Sequence, residues 1–155
     1  ALILEDDIFL RKKFNVVLAA AMAEIQRDGL KSFIVSIEDS LPRYVKRSEY
    51  QKDKLIYLQK TGRTTGAYIV DLSAAKNFLQ EARTHKMHHP IDWFHNSCAD
   101  KKLINIYWLK YSIAIQGSLT GQIGSIIATH KKPSVLRTIS FQLQRYYKKL
   151  LYQFR

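Results

Sequence analysis

Residues 1–10 read ALILEDDIFL. Four apolar, strand-like residues run into three consecutive carboxylates, Glu5, Asp6 and Asp7, and then into apolar residues again. A buried segment seldom carries three like charges without a counter-charge. Alternate side chains of a strand share a face, so a strand continuing through the acids puts Glu5 and Asp7 together and turns Asp6 away. Two carboxylates at the carboxyl end of a sheet strand form an oxygen-ligand pair suited to Mg²⁺ or Mn²⁺, ions that leave positions open for substrate phosphates. The same pattern also suits a solvated strand end whose acids cap the next helix and favour its dipole. Ala1 already lies within the strand, so the expectation is a fragment with further N-terminal strands missing.

Outward from this stretch, strands and helices mix. Residues 10–29 carry Phe14, Val17, Leu18, Ala21, Met22 and Ile25 at helical spacing, with Gly29 as a stop. SFIVSIED (32–39) alternates and is rich in β-branched residues, a second strand. Residues 40–53, with Pro42, read as an exposed loop. KLIYLQK (54–60) and the run after Gly66 read as strands, and residues 73–86 as a helix capped by Ser73. Residues 102–116 hold one or two more strands, and GSLTGQIGS (117–125) reads as a flexible glycine-rich loop. Residues 134–155 form an amphipathic helix with Leu136, Ile139, Leu143, Tyr146, Leu150 and Phe154 in one stripe. Elements in this order predict an α/β fold with a mixed rather than purely parallel sheet.

The chain of 155 residues has a net charge of +12, unevenly placed. Residues 1–100 hold all thirteen acids against fifteen Lys and Arg, whereas residues 101–155 hold ten Lys and Arg and no acid. Such a split points to a polyanionic partner for the last third, nucleic acid or anionic lipid. No apolar run reaches the roughly 18 residues of a membrane-spanning helix, and the opening residues lack the pattern of a secretory leader. A single cysteine, Cys98, fits a reducing compartment and reads as a passive small residue.

LILEDDIFL, then TTGAYIVDLSAAKNFL (64–79), then HPIDWF (89–94) form three ordered blocks. Together they resemble the family 25 glycosyltransferases, which include the bacterial enzymes of lipooligosaccharide biosynthesis and the collagen galactosyltransferases. The resemblance covers roughly residues 1–120 and leans to the bacterial branch. It implies a GT-A-like mixed sheet flanked by helices, with residues 1–130 the C-terminal part of the catalytic domain and 131–155 a basic amphipathic helix. It implies hexose transfer, galactose or glucose, from a UDP-sugar to a lipooligosaccharide or lipopolysaccharide acceptor, with inversion. Glu5 and Asp7 would hold Mn²⁺ or Mg²⁺ against the donor diphosphate, a Lewis-acid role. Asp6 would contact the donor ribose or sugar. Gly66 would let the chain pass close to the sugar, with Thr65 and Tyr68 offering hydroxyls. Asp92 would be the base that deprotonates the acceptor hydroxyl, or an acceptor ligand, with Trp93 stacked on a sugar. Read without the resemblance, Gly66 permits a bulge, Tyr68 and Trp93 are core, and Asp92 is a helix N-cap after Pro90. Relatives often carry a proline before the glutamine of the late strand. Here Ala114 and Ile115 precede Gln116.

His85, His88, His89 and His95 lie close in sequence, but no Cys or Glu stands at a familiar zinc spacing, and a polar loop near the acceptor is the preferred reading. The basic terminal helix is expected to pack its stripe on the core and to associate weakly with the inner membrane from the cytoplasmic side. Two other readings stand beside the transferase. One is a nucleic-acid-binding domain without enzymatic activity, and the other is an inactive truncated remnant of the transferase.

Overall fold

A computed structural model describes residues 1–38, 45–62, 65–87, 89–120, 123 and 135–153. Pro42, His88, Phe154 and most of the glycine-rich stretch after Thr120 lie outside the described residues. The elements are β1 (Leu2–Leu4), β2 (Ile8–Leu10), α1 (Phe14–Arg27), β3 (Phe33–Ser36), β4 (Ile56–Gln59) and β5 (Ala67–Val70). There follow α2 (Leu72–Thr84), α3 (Ile91–Asp100), β6 (Asn105–Leu109), β7 (Ala114–Gln116), α4 (Gly117–Thr120) and α5 (Val135–Gln153).

Five strands form a sheet in the order β1-β5-β3-β6-β4, and β2 pairs with β7 in a second, two-stranded sheet. β3 and β6 are parallel, with Ile34 opposite Ile106, and every other pair is antiparallel. The α/β class and the mixed sheet are therefore as the sequence predicts. β1, β3 and β6 run one way and β5 and β4 the other, so the ends of β1, β3 and β6 and the start of β5 lie at one edge. That edge carries the acids.

Strand alternation divides the core in two. Phe33, Val35, Ile69 and Leu109 face α1, where Ala21 and Ile25 meet them. Ile34, Val70 and Ile106 face the other way, toward Ala74 of α2 and Cys98 of α3. Covered on both sides, β3 buries every residue. Glu24 of α1 is buried too, and its carboxylate accepts from the Leu55 and Ile56 amides at 2.8 and 3.0 Å, fastening β4 to the helix.

Several local expectations change. β1 is a sheet-edge strand paired only with β5, so Leu2 and Leu4 stay 39% and 41% exposed rather than buried. α1 starts at Phe14, not Leu10, because residues 8–10 are taken by β2, and Met22 of its predicted stripe is exposed. Gly29 does end the helix, at φ +60°, and the Leu30 amide closes on the Ile25 carbonyl at 3.1 Å. The cap of α2 is Asp71 rather than Ser73. Its side chain accepts from Ala74 N at 2.8 Å and also from Ser32 N and Phe33 N, tying the helix start to β3. Residues 117–120 are a short helix, not loop. α5 docks through Phe141, 8% exposed, and through a hydrogen bond from Thr138 Oγ1 to the Thr120 carbonyl at 3.1 Å. Its predicted core stripe faces solvent instead, with Leu136 79% and Leu143 65% exposed.

Candidate functional site

The strand ends at Leu4, so Glu5 and Asp7 do not share a face by alternation. Residues 5–7 are a turn carrying the chain from the large sheet to the small one. The Glu5 amide donates to the Gly66 carbonyl at 2.8 Å, and the Gly117 amide donates to the Asp7 carbonyl at 2.9 Å. Both acids are held at the same edge by different neighbours.

The Glu5 carboxylate accepts from Gln116 Nε2 at 2.7 Å. Partial burial and the nearby Asp7, Glu38 and Asp6 carboxylates push its pKa up. Asp7 Oδ2 accepts from the Ser118 amide at 3.3 Å, while its Oδ1 is buried with no hydrogen-bond partner. Asp6 is exposed at the tip of the turn.

Glu38, just past the end of β3, is a buried member of this edge that sequence reading missed. Its Oε1 accepts from the Gly66 amide at 3.1 Å, and its backbone bridges to Ala114. A Cβ on Gly66 would stand 3.1 Å from Glu38 Oε2 and from Ile8 Cδ1. The glycine therefore lets a carboxylate lie against the backbone. The available signal was an acid immediately after an alternating strand, the pattern already read at Glu5. Gln116, which follows Ala114 and Ile115 rather than the proline of relatives, is brought to Glu5 in the structure.

Thr65 and Tyr68 flank Gly66, both partly buried. Tyr68 is on the face turned to α3. Its ring meets His95 edge-on at 5.4 Å between centroids, and burial and the Glu5 charge raise its pKa. His95 is 2% exposed and stacks on Phe78 at 4.6 Å. Burial brings its pKa down to about 4, against a smaller opposite pull from Asp92, and its Nδ1 has no partner. It is a neutral core histidine.

Asp92 lies in the first turn of α3, after Pro90 at the cap position, and its Oδ1 accepts from the Trp93 amide at 2.9 Å. It is therefore not the N-cap. Trp93 is 63% exposed, with His89 beside it at 6.1 Å, and is not core. Asp92 acts on His95 through its charge, His95 meets the Tyr68 ring, and the Glu5 charge acts on Tyr68, so the four follow one another from the first turn of α3 toward the acids. His85 pairs with Glu81 at 3.1 Å. Among the described residues no three His, Cys, Asp or Glu side chains are grouped to hold a metal ion by themselves. Cys98 is buried, its thiol pushed up to about 11, as suits a passive core residue.

The arrangement is one sheet edge with an excess of carboxylates, two of them on a turn pinned from both sides, facing a helix start that carries a further acid and an exposed tryptophan. No curated protein and no solved structure matches the chain. A family model does match, that of glycosyltransferase family 25 (LPS biosynthesis protein), over residues 1–95. The matched stretch contains Glu5, Asp7, Glu38, Gly66, Tyr68 and Asp92 and covers more than half of the 155 residues, so the chain belongs to glycosyltransferase family 25.

Proposed function

We propose that the chain transfers a hexose, galactose or glucose, from a UDP-sugar to a lipooligosaccharide acceptor on a GT-A-like fold, with a divalent metal at the acid edge. The family gives the coarser statement, a glycosyltransferase of lipopolysaccharide biosynthesis. The finer one rests above all on the orphaned, buried Asp7 Oδ1 beside a Glu5 carboxyl whose pKa is raised by partial burial and by three neighbouring acids. An anionic sheet edge with an unpaired oxygen suits Mn²⁺ or Mg²⁺ held by one or two carboxylates and completed by substrate phosphates, rather than caged by protein alone. Glu5 and Asp7 would hold the ion, which when bound supplies Lewis-acid stabilisation of the departing diphosphate.

The remaining work falls to the chain itself. Glu38 and Gln116 fix the turn and the Glu5 carboxylate. Asp6, exposed at the turn tip, and the Thr65 and Tyr68 hydroxyls would contact donor ribose and sugar. Asp92, over the same edge, takes the proton from the acceptor hydroxyl as it attacks with inversion, and Trp93 offers a face to the acceptor ring. UDP-hexose transfer measured with and without Mn²⁺ tests this. Asp7→Ala is expected to lose roughly a hundredfold or more in kcat/KM, the scale of several kcal/mol of charge stabilisation. Full activity in Asp7→Ala, or transfer indifferent to chelation, overturns the assignment.

A further inference from the structure

α5 is docked by the wrong face for its sequence. At about 100° per residue, Thr138, Phe141, Arg145 and Lys148 lie on one side of the helix, and these are the residues it buries wholly or in part. Leu136, Ile139, Leu143, Tyr146 and Leu150 lie on the opposite side and are 39–79% exposed, with Tyr147 beside them at 62%. An apolar stripe over about four turns is the element's best burying surface, and among the described residues it stays largely exposed.

The charge around the stripe narrows what covers it. Lys149 is exposed on one flank of the stripe, and the whole segment from residue 101 onward holds ten Lys and Arg without one acid. An apolar stripe with Tyr at its margin, on a helix whose only charges are positive, matches an anionic bilayer surface. The stripe enters the headgroup–acyl boundary while Lys149 on its flank meets the phosphates. A protein partner with an acidic rim would need the same complementarity, but the described helix offers no acid to set its register. No helix among the described residues is long and apolar enough to cross a membrane, so the contact is in the plane of the surface.

We infer that α5 is an interfacial helix that docks the protein on an anionic lipid surface through Leu136, Ile139, Leu143, Tyr146, Tyr147 and Leu150. The test is sedimentation of the full chain with phosphatidylcholine vesicles with and without phosphatidylglycerol, in the absence of sugar donor, so that its outcome is independent of the transferase assignment. Binding is expected to require phosphatidylglycerol and to weaken with salt. It should fall roughly fivefold in Lys149→Gln, the share of one surface cation, and tenfold or more in the doubly substituted Ile139→Ser, Leu143→Ser. Both variants alter exposed side chains and keep Phe141, so their circular dichroism melts should match the parent. Vesicle binding that ignores phosphatidylglycerol overturns the inference. So does binding untouched by the double substitution, or a concentration-dependent dimer that the double substitution abolishes while vesicles go unbound. Equal affinity for a DNA duplex, unaffected by Leu143, would assign the basic segment to nucleic acid instead.

Discussion

At the scale of single residues, burial sets the chemistry more than identity does. His95 resembles its sequence neighbours His85 and His89, yet it alone is buried, with a folded pKa of about 4. The ordinary value of 6.5 holds when the chain is unfolded. The unfolded state therefore binds the proton more readily. The stability this residue contributes is complete above pH 6.5 and is lost as pH falls toward 4, by about 3 kcal/mol in all. Chemical denaturation at pH 7 and pH 4.5 should show that loss, and His95→Phe should remove this share of it. Glu24 is buried for a different reason, because the Leu55 and Ile56 amides donate to its side chain. Glu24→Ala leaves those donors without partners and is expected to cost about 3 kcal/mol, while Glu24→Gln, which keeps one acceptor, costs less. Neither role was legible in the sequence. Glu24 sits mid-helix like any solvated acid, and the histidines read as one polar cluster, because burial is a property of what packs opposite and not of the residue.

Elements were legible where their pattern is local. The alternation of residues 32–39, the β-branched run after Gly66 and the helical period of residues 14–25 gave β3, β5 and α1 in place. α3 entered the reading only as a helix that Asp92 would cap, because Pro90 looks like a break and the ten residues that follow bury only His95 and Cys98, too little for a period to show. The cap of α2 was misplaced by two residues, since Asp71 and Ser73 are both good caps and only the reach to Ser32 and Phe33 favours Asp71. α5 shows the reverse difficulty. Its stripe was read correctly and its burial wrongly, because a period identifies an apolar face without saying what meets it. The site behaves likewise. The turn acids, Gly66 and Asp92 came from short motifs, whereas Glu38 and Gln116 join them across 28 and 111 positions that no local pattern spans.

For the whole molecule, cooperativity should follow the sheet. β3 and β6 lie side by side at its centre and carry core on both faces, while β1 is a half-exposed edge and β2 and β7 form a separate two-stranded sheet. Hydrogen exchange is therefore expected to be slowest at the Ile34, Val35 and Ile106 amides and faster by orders of magnitude along β1 and β2. Uniform protection across all seven strands would contradict this ranking. Catalysis would then be staged on the less stable margin of a stable centre.

The β2–β7 pair carries a consequence for the order of events in synthesis. Residues 8–10 find their partners only at 114–116, and the amides that hold Asp7 belong to Gly117 and Ser118. A ribosome-bound chain shorter than this can collapse around α1 and β3 and pair Glu5 with Gly66, but Asp7 still lacks the amides that hold it. Closing so long a loop comes late and slowly compared with local contacts. The acid edge is assembled late, from residues 5–7 and 114–118, so a nascent chain acquires a formed acid edge only when residues 114–118 are free to fold.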